Sequence, residues 1–189
     1  MNTPIQKNSS RHFFSAFFAS LLPFCAVLLV SCASQSTHQG MTPAAVDTFK
    51  KHPHTVSLNV TGGKPTESTW TPQISDVEFK QALLDALNKS QIFSGVVEGN
   101  AGDYWLTVMF FSLEQPVIGF SMTVKMEAGW TLKRAADGVV VWQESIKSEY
   151  TATTGDALDG ARRLRLATEG AARNNISQGL GKISKLGAI

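Results

Sequence analysis

The residues best suited to covalent chemistry are the four in Leu29-Val30-Ser31-Cys32. A thiol forms a thioether with a glyceryl carbon more readily than any other side chain. A small neighbour such as Ser31 leaves the peptide bond in front of the cysteine open to a peptidase. The preceding chain brings these residues to the right place. Residues 1–12 are polar, carry Lys7 and Arg11 and lack acids, and residues 13–30 are uncharged throughout. A positive, then apolar, then small-residue order is that of a secretory signal peptide. The apolar run approaches the roughly 20 residues that span a bilayer, but Pro23 interrupts it and no basic cluster follows to stop transfer.

Leu29, Val30, Ser31 and Cys32 resemble, position by position, a bacterial lipoprotein signal: aliphatic, small or aliphatic, small, cysteine. The resemblance implies that Cys32 becomes the first residue of the mature chain and is acylated on its sulfur and its new amine. Each buried CH2 contributes about 0.8 kcal/mol, and stable anchoring takes more than one chain, so three chains would hold the protein at the membrane permanently. The competing reading is an ordinary cysteine beside a conventional cleavage site or an uncleaved helix. In the resembled family an Asp directly after the cysteine tends to retain the protein at the inner membrane. Ala33 stands there, which implies the outer membrane, with the domain facing the periplasm.

Removing residues 1–31 from 189 leaves 158, enough for one domain with its own core. The signal removes Lys7 and Arg11 and no acid, so fifteen residues of each sign remain and the mature net charge is zero with histidine neutral. A balanced domain has no bulk electrostatic reason to bind nucleic acid. Cys25 leaves with the signal and Cys32 is taken by lipid, so no disulfide, thiolate metal site or free nucleophilic thiol is expected. The only cofactor expected is the covalent lipid.

Residues 32–54 are expected to form the lipidated N-terminus and a flexible tether, polar and without apolar period. His52-Pro53-His54 is expected to be a solvated loop; His38 is the only other mature histidine, which is too few ligands for a metal site. Residues 55–189 form the domain. Val56, Leu58 and Val60 alternate as a strand. Gly62-Gly63-Lys64 and Gly179-Leu180-Gly181-Lys182 both lack the frame and hydroxyl of a phosphate-binding loop. Ser75 and Glu78 make a capping box, with Ile74 and Phe79 as its staple, and Phe79, Ala82, Leu83, Ala86 and Leu87 then recur at helical spacing. Ile92, Phe93 and Gly95 are expected to end this unit.

Residues 103–113 predict a strand that is apolar on both faces, and residues 120–133 a strand that alternates cleanly. Asp137-Gly138 turns into a third strand over 139–151. The last helix is expected over about 158–185, kinked at Gly170 or frayed at Gly179 and Gly181. The expected class is α+β: an antiparallel sheet of about four strands, in the order strand, helix, three strands, helix, with both helices on one face.

Three features point to surfaces. Trp105, Met109 and Phe111 fall on the polar face of the sheet, so the tether, the first strand, a partner protein or a second copy should cover them. Residues 116–120 form an apolar connector that includes Ile118; it either tucks under the sheet or projects toward a membrane or partner. Arg162, Arg163, Arg165 and Arg173 cluster in the last helix, the first three near its start, where cations oppose the helix dipole. They either pair with Asp156, Asp159 and Glu169 or recognise an acidic partner or lipid head group.

The element order resembles the TolB amino-terminal domain and the ABC-transport auxiliary lipoproteins. Gly62-Gly63, Trp70-Thr71, Ile74-Ser75, Phe79, Ala82-Leu83 and the run from Glu169 to Ile176 are similar to a family of uncharacterised bacterial lipoproteins. That resemblance brings no activity with it. A non-enzymatic envelope protein that acts by binding partners is the leading expectation. A carrier of an apolar ligand between sheet and last helix is the alternative, favoured by a cavity lined by Met122, Met126 and Trp130. A hydrolase would draw on Glu114, Glu127, Glu144 or Glu149, none of which has a helper distinguishable in sequence.

Overall fold

The computed structural model describes residues 35–66, 71–187 and 189. Leu29, Val30, Ser31 and Cys32 lie outside the described residues.

The clearest strand, Met122–Arg134, buries Met122, Val124, Met126, Ala128, Trp130 and Leu132 and turns the residues between them to the other face. This is β4, and it is antiparallel to both of its neighbours, β3 (Tyr104–Glu114) and β5 (Val140–Ala152). Gly138, at a φ of 71°, makes the tight turn of the β4–β5 hairpin, and Asp137 Oδ1 accepts from the Val139 N–H at 3.1 Å.

The rest of the sheet is parallel. β1 (His52–Thr61) runs alongside β3, with Val56 opposite Tyr104, and on its other side pairs with β2 (Phe93–Val97). Parallel strands need a crossover, and α2 (Asp76–Ser90) supplies it. The domain is α+β as expected, but its sheet is mixed and five-stranded, in the order β2-β1-β3-β4-β5, where an antiparallel sheet of about four strands was expected. The added strand is β2. Gln91, in the left-handed conformation at φ 51°, ends α2, and Phe93 then opens a five-residue edge strand with only one fully buried side chain. So short a strand has no alternation to read.

Phe79, Ala82, Leu83, Ala86 and Leu87 are the buried face of α2. Ser75 Oγ accepts from the Glu78 N–H at 3.2 Å, one half of the expected capping box; the Glu78 carboxylate goes elsewhere. α3 (Gly160–Ile183) packs on β4 and β5. It neither breaks at Gly170 nor frays at Gly179. Both glycines are buried where aromatic rings press on the helix: a Cβ on Gly170 would collide with Tyr150, and one on Gly179 would lie 2.6 Å from the Trp130 ring.

Residues 35–51 are part of the folded body, which corrects the expectation of a flexible tether. α1 (His38–Met41) lies against α2 and α3, and Ser36 and Met41 are buried. The Thr37 N–H and hydroxyl donate to Glu169 Oε1 at 2.9 and 3.1 Å, the His38 N–H to Glu78 Oε2 at 2.6 Å, and Arg173 Nη1 to Gly40 O at 2.7 Å. Every one of these partners is distant in sequence, so no local period announces the packing. His52-Pro53-His54 is likewise no solvated loop: it opens β1, with His52 only 2% exposed and its Nε2 3.1 Å from Ile183 O.

Candidate functional site

Antiparallel pairing brings the end of β3, the start of β4 and the end of β5 to one end of the sheet. Two loops meet there: residues 115–121 between β3 and β4, and residues 153–159 leading into α3. The second is held by short-range caps. Asp156 Oδ2 accepts from the Thr153 N–H at 2.7 Å and from its hydroxyl at 2.9 Å, and these two bonds hold the Asp156 carboxyl below its ordinary value of 3.8. Asp159 caps α3 by accepting from the Arg162 N–H at 2.7 Å.

Arg163 joins the two loops. It is 6% exposed, and its guanidinium donates to three carbonyls: Nη1 to Ala157 at 2.8 Å and Leu158 at 2.9 Å, Nη2 to Gly119 at 3.0 Å. A planar fork of donors suits such a bridge, and Lys could not span it. With the carbonyls turned inward to the arginine, the flanking side chains turn outward. Val117 is 99% exposed, Ile118 89%, Phe120 87% and Leu158 90%. Single exposed hydrophobes are commonplace, but four on two loops locked together make a patch.

The connector thus projects rather than tucks. Phe120, expected as the first inward residue of a strand, precedes β4 and faces solvent; Leu158, expected as the start of the last helix, precedes its cap. Val117, Ile118 and Phe120 belong to the connector for which projection was one of two readings, and Leu158 is the member that sequence reasoning did not place on a surface. The available signal was the run of apolar residues where a hairpin connection is normally polar.

The arginine cluster divides by role. Arg163 binds carbonyls rather than the expected carboxylates, Arg173 holds Gly40 and lies over the Tyr150 ring at 5.4 Å, and Arg165 stands 3.9 Å from Glu169. Arg162 is exposed.

Trp105, Met109 and Phe111 do lie on the outer face of the sheet. The Trp105 indole N–H donates to Asn100 O at 3.1 Å, while Met109 and Phe111 are 49% and 57% exposed. Neither the tether nor β1 covers them, since residues 35–51 pack on the helical side. Phe111 is the extra residue of a bulge, as Phe110 pairs with Ala128 and Ser112 with Glu127. Its ring lies over Gly129, where a Cβ would clash. Outer face and tip are therefore distinct surfaces within the set anticipated from sequence.

Met122, Met126 and Trp130, the residues expected to line a cavity between the sheet and α3, are buried in the core, and the Trp130 ring presses on Gly179. Among the described residues, no group of three or more His, Cys, Asp and Glu is placed to hold a metal.

Fold and site define an α+β body with a rigid apolar tip, and no helix among the described residues is long and apolar enough to cross a membrane. Neither a protein-family model nor a curated protein matches the sequence. Solved structures do match. A DUF330 protein of Xanthomonas campestris is 16% identical, with a TM-score of 0.53 over 75% of this chain and 89% of that one. A hypothetical protein of Chlamydia trachomatis is 8% identical, with a TM-score of 0.52 over 70% and 96%. A minor lipoprotein of Acinetobacter baumannii is 9% identical, with a TM-score of 0.47 over 69% and 90%. What the first two of these share with the chain is a fold.

Proposed function

We propose that the protein is a non-enzymatic lipoprotein of the bacterial outer membrane, anchored through acylated Cys32 and acting in the periplasm by binding other envelope components. The observation that carries this reading is Leu29-Val30-Ser31-Cys32 at the end of an uncharged run that begins two residues after Arg11. A folded body that starts within a few residues of Cys32 supports it, because an anchored protein needs no more than a short link. The non-enzymatic part is supported by what the strand carboxylates touch: Glu127 accepts from the Ser145 hydroxyl at 2.7 Å, and Glu144 pairs with Lys182. These are cross-strand and strand-to-helix ties rather than an acid–base pair.

Metabolic labelling with radioactive palmitate tests the anchor. Wild type is expected to incorporate label and to sediment with the outer membrane, and Cys32→Ser to incorporate none. Equal labelling of both, or of neither, defeats the proposal.

A further inference from the structure

We propose that the tip formed by Val117, Ile118, Phe120 and Leu158 inserts into the same bilayer leaflet that holds the lipid on Cys32, so that the protein meets the membrane at two points and stands in a fixed orientation. This rests on the anchor reading above and adds to it a second, non-covalent contact.

Chain length makes the case. Thr37 is fixed to Glu169 through its N–H and its hydroxyl. Glu169 follows Arg163 by six residues on α3, an axial rise of about 9 Å. Ser36 is buried, so the free link is the three-residue step from Gln35 to Cys32, which reaches at most about 11 Å when fully extended. A link that short holds Cys32 close to the end of α3 that carries the tip and is too little to lift the domain clear of the bilayer. With residues 35–51 packed away, there is no long tether to let the body swing.

The chemistry of the tip suits hydrocarbon rather than head-group recognition. Four large side chains, each about nine-tenths exposed, stand on two loops, three of whose main-chain carbonyls accept from a buried guanidinium. Insertion therefore leaves those three carbonyls paired, and an unpaired polar group in lipid is costly. Prior ordering also reduces the entropy lost on binding. Of the charges near the tip, Asp156 and Asp159 accept from main-chain N–H groups, and Arg162, in the first turn of α3, is exposed and can lie at the interface. Charges of both signs give no preference for anionic lipid.

The test uses the full acylated protein in vesicles of phosphatidylethanolamine and phosphatidylglycerol. Cys32 is blocked by its lipid, so Ile118→Cys, Leu158→Cys and, at the exposed β4–β5 turn, Ala136→Cys each accept one environment-sensitive dye. Lipids carrying a spin label on the acyl chain are expected to quench the dye at positions 118 and 158 at least twofold more than at 136. Protein that floats with the vesicles while all three dyes are quenched alike overturns the tip proposal and leaves the anchor standing. A blue-shifted dye at 118 without lipid quenching also overturns it, since a protein surface would then cover the tip. Protein that carries no palmitate and does not float overturns both.

Discussion

The indole N–H of Trp130 donates to Asn175 Oδ1 at 2.9 Å and so joins β4 to α3 through the buried interior. The Asn175 amide then donates to Ile146 O at 2.9 Å and to Ser148 Oγ at 3.2 Å, and the Ser148 hydroxyl donates to Ala171 O at 2.9 Å. Two strands and the long helix are thus fixed in register by one small polar network in which the Asn175 side chain is satisfied at both ends. A buried group left without its partner costs about 1–3 kcal/mol. Asn175→Leu strands both the Trp130 N–H and the Ile146 carbonyl, so urea unfolding should show a loss of about 2–4 kcal/mol. In a double-mutant cycle with Trp130→Phe the two losses should fall short of additivity by at least about 0.5 kcal/mol.

Gly179 and Gly181 stand two residues apart on α3 and should respond to alanine with opposite signs. Helix propensity favours alanine by about 1 kcal/mol at either position. At Gly179 the new Cβ would lie 2.6 Å from the Trp130 ring, and overpacking typically costs about 1–3 kcal/mol. At Gly181 the nearest atom to such a Cβ, Asp47 O, is at 3.8 Å, an ordinary contact. Thermal melts should show Gly179→Ala lowering the midpoint and Gly181→Ala raising it.

Arg163→Lys tests the clamp. It preserves the charge but gives up the fork that reaches carbonyls on both loops. Hydrogen bonds to a charged donor contribute about 1.5–3 kcal/mol, so a stability loss in that range is expected. Freed from Gly119 O, residues 115–121 should be cut by chymotrypsin at Phe120 several-fold faster than in wild type. An unchanged cleavage rate would mean that the arginine does not restrain the loop.

The acid end of the stability profile should involve Asp103. Its carboxyl is held below the ordinary 3.8 chiefly by the Thr55 N–H, which donates to Oδ2 at 2.8 Å, and next by the Thr55 hydroxyl at 2.9 Å. A depressed folded value means that the contribution is complete above the unfolded value and disappears as pH falls through the folded one. NMR titration should therefore place the Asp103 midpoint below 3.8. Thr55→Ala should move it upward only part of the way, since the main-chain N–H remains.

Local pattern made several elements legible before any fold was known. β4 announced itself because its inward and outward residues differ in type at nearly every step, and α2 because Ser75, Phe79 and Leu83 mark a cap and a face. β2 was missed because a short edge strand buries too little to leave a pattern. α1 and the true start of β1 were missed because Thr37, His38 and Gly40 are held by Glu169, Glu78 and Arg173, whose relevance depends on chain segments far away. At the candidate site, Ile118 and Arg163 were both singled out, the first as an odd apolar residue in a turn and the second as a misplaced cation. That they belong to one device was hidden, because a carbonyl acceptor has no residue type of its own.

The sequence by itself determined the apolar period of each long element and the Leu29–Cys32 pattern on which the anchor reading rests, because each of these is carried by residue types at fixed local spacing. Only the tertiary structure decided that residues 35–51 join the core, that Gly170 and Gly179 exist to admit aromatic rings, and that one buried guanidinium turns two loops into an apolar tip. The reason is that main-chain hydrogen bonds and steric room are properties of distant segments brought together, and they leave no mark in the order of side chains along the chain.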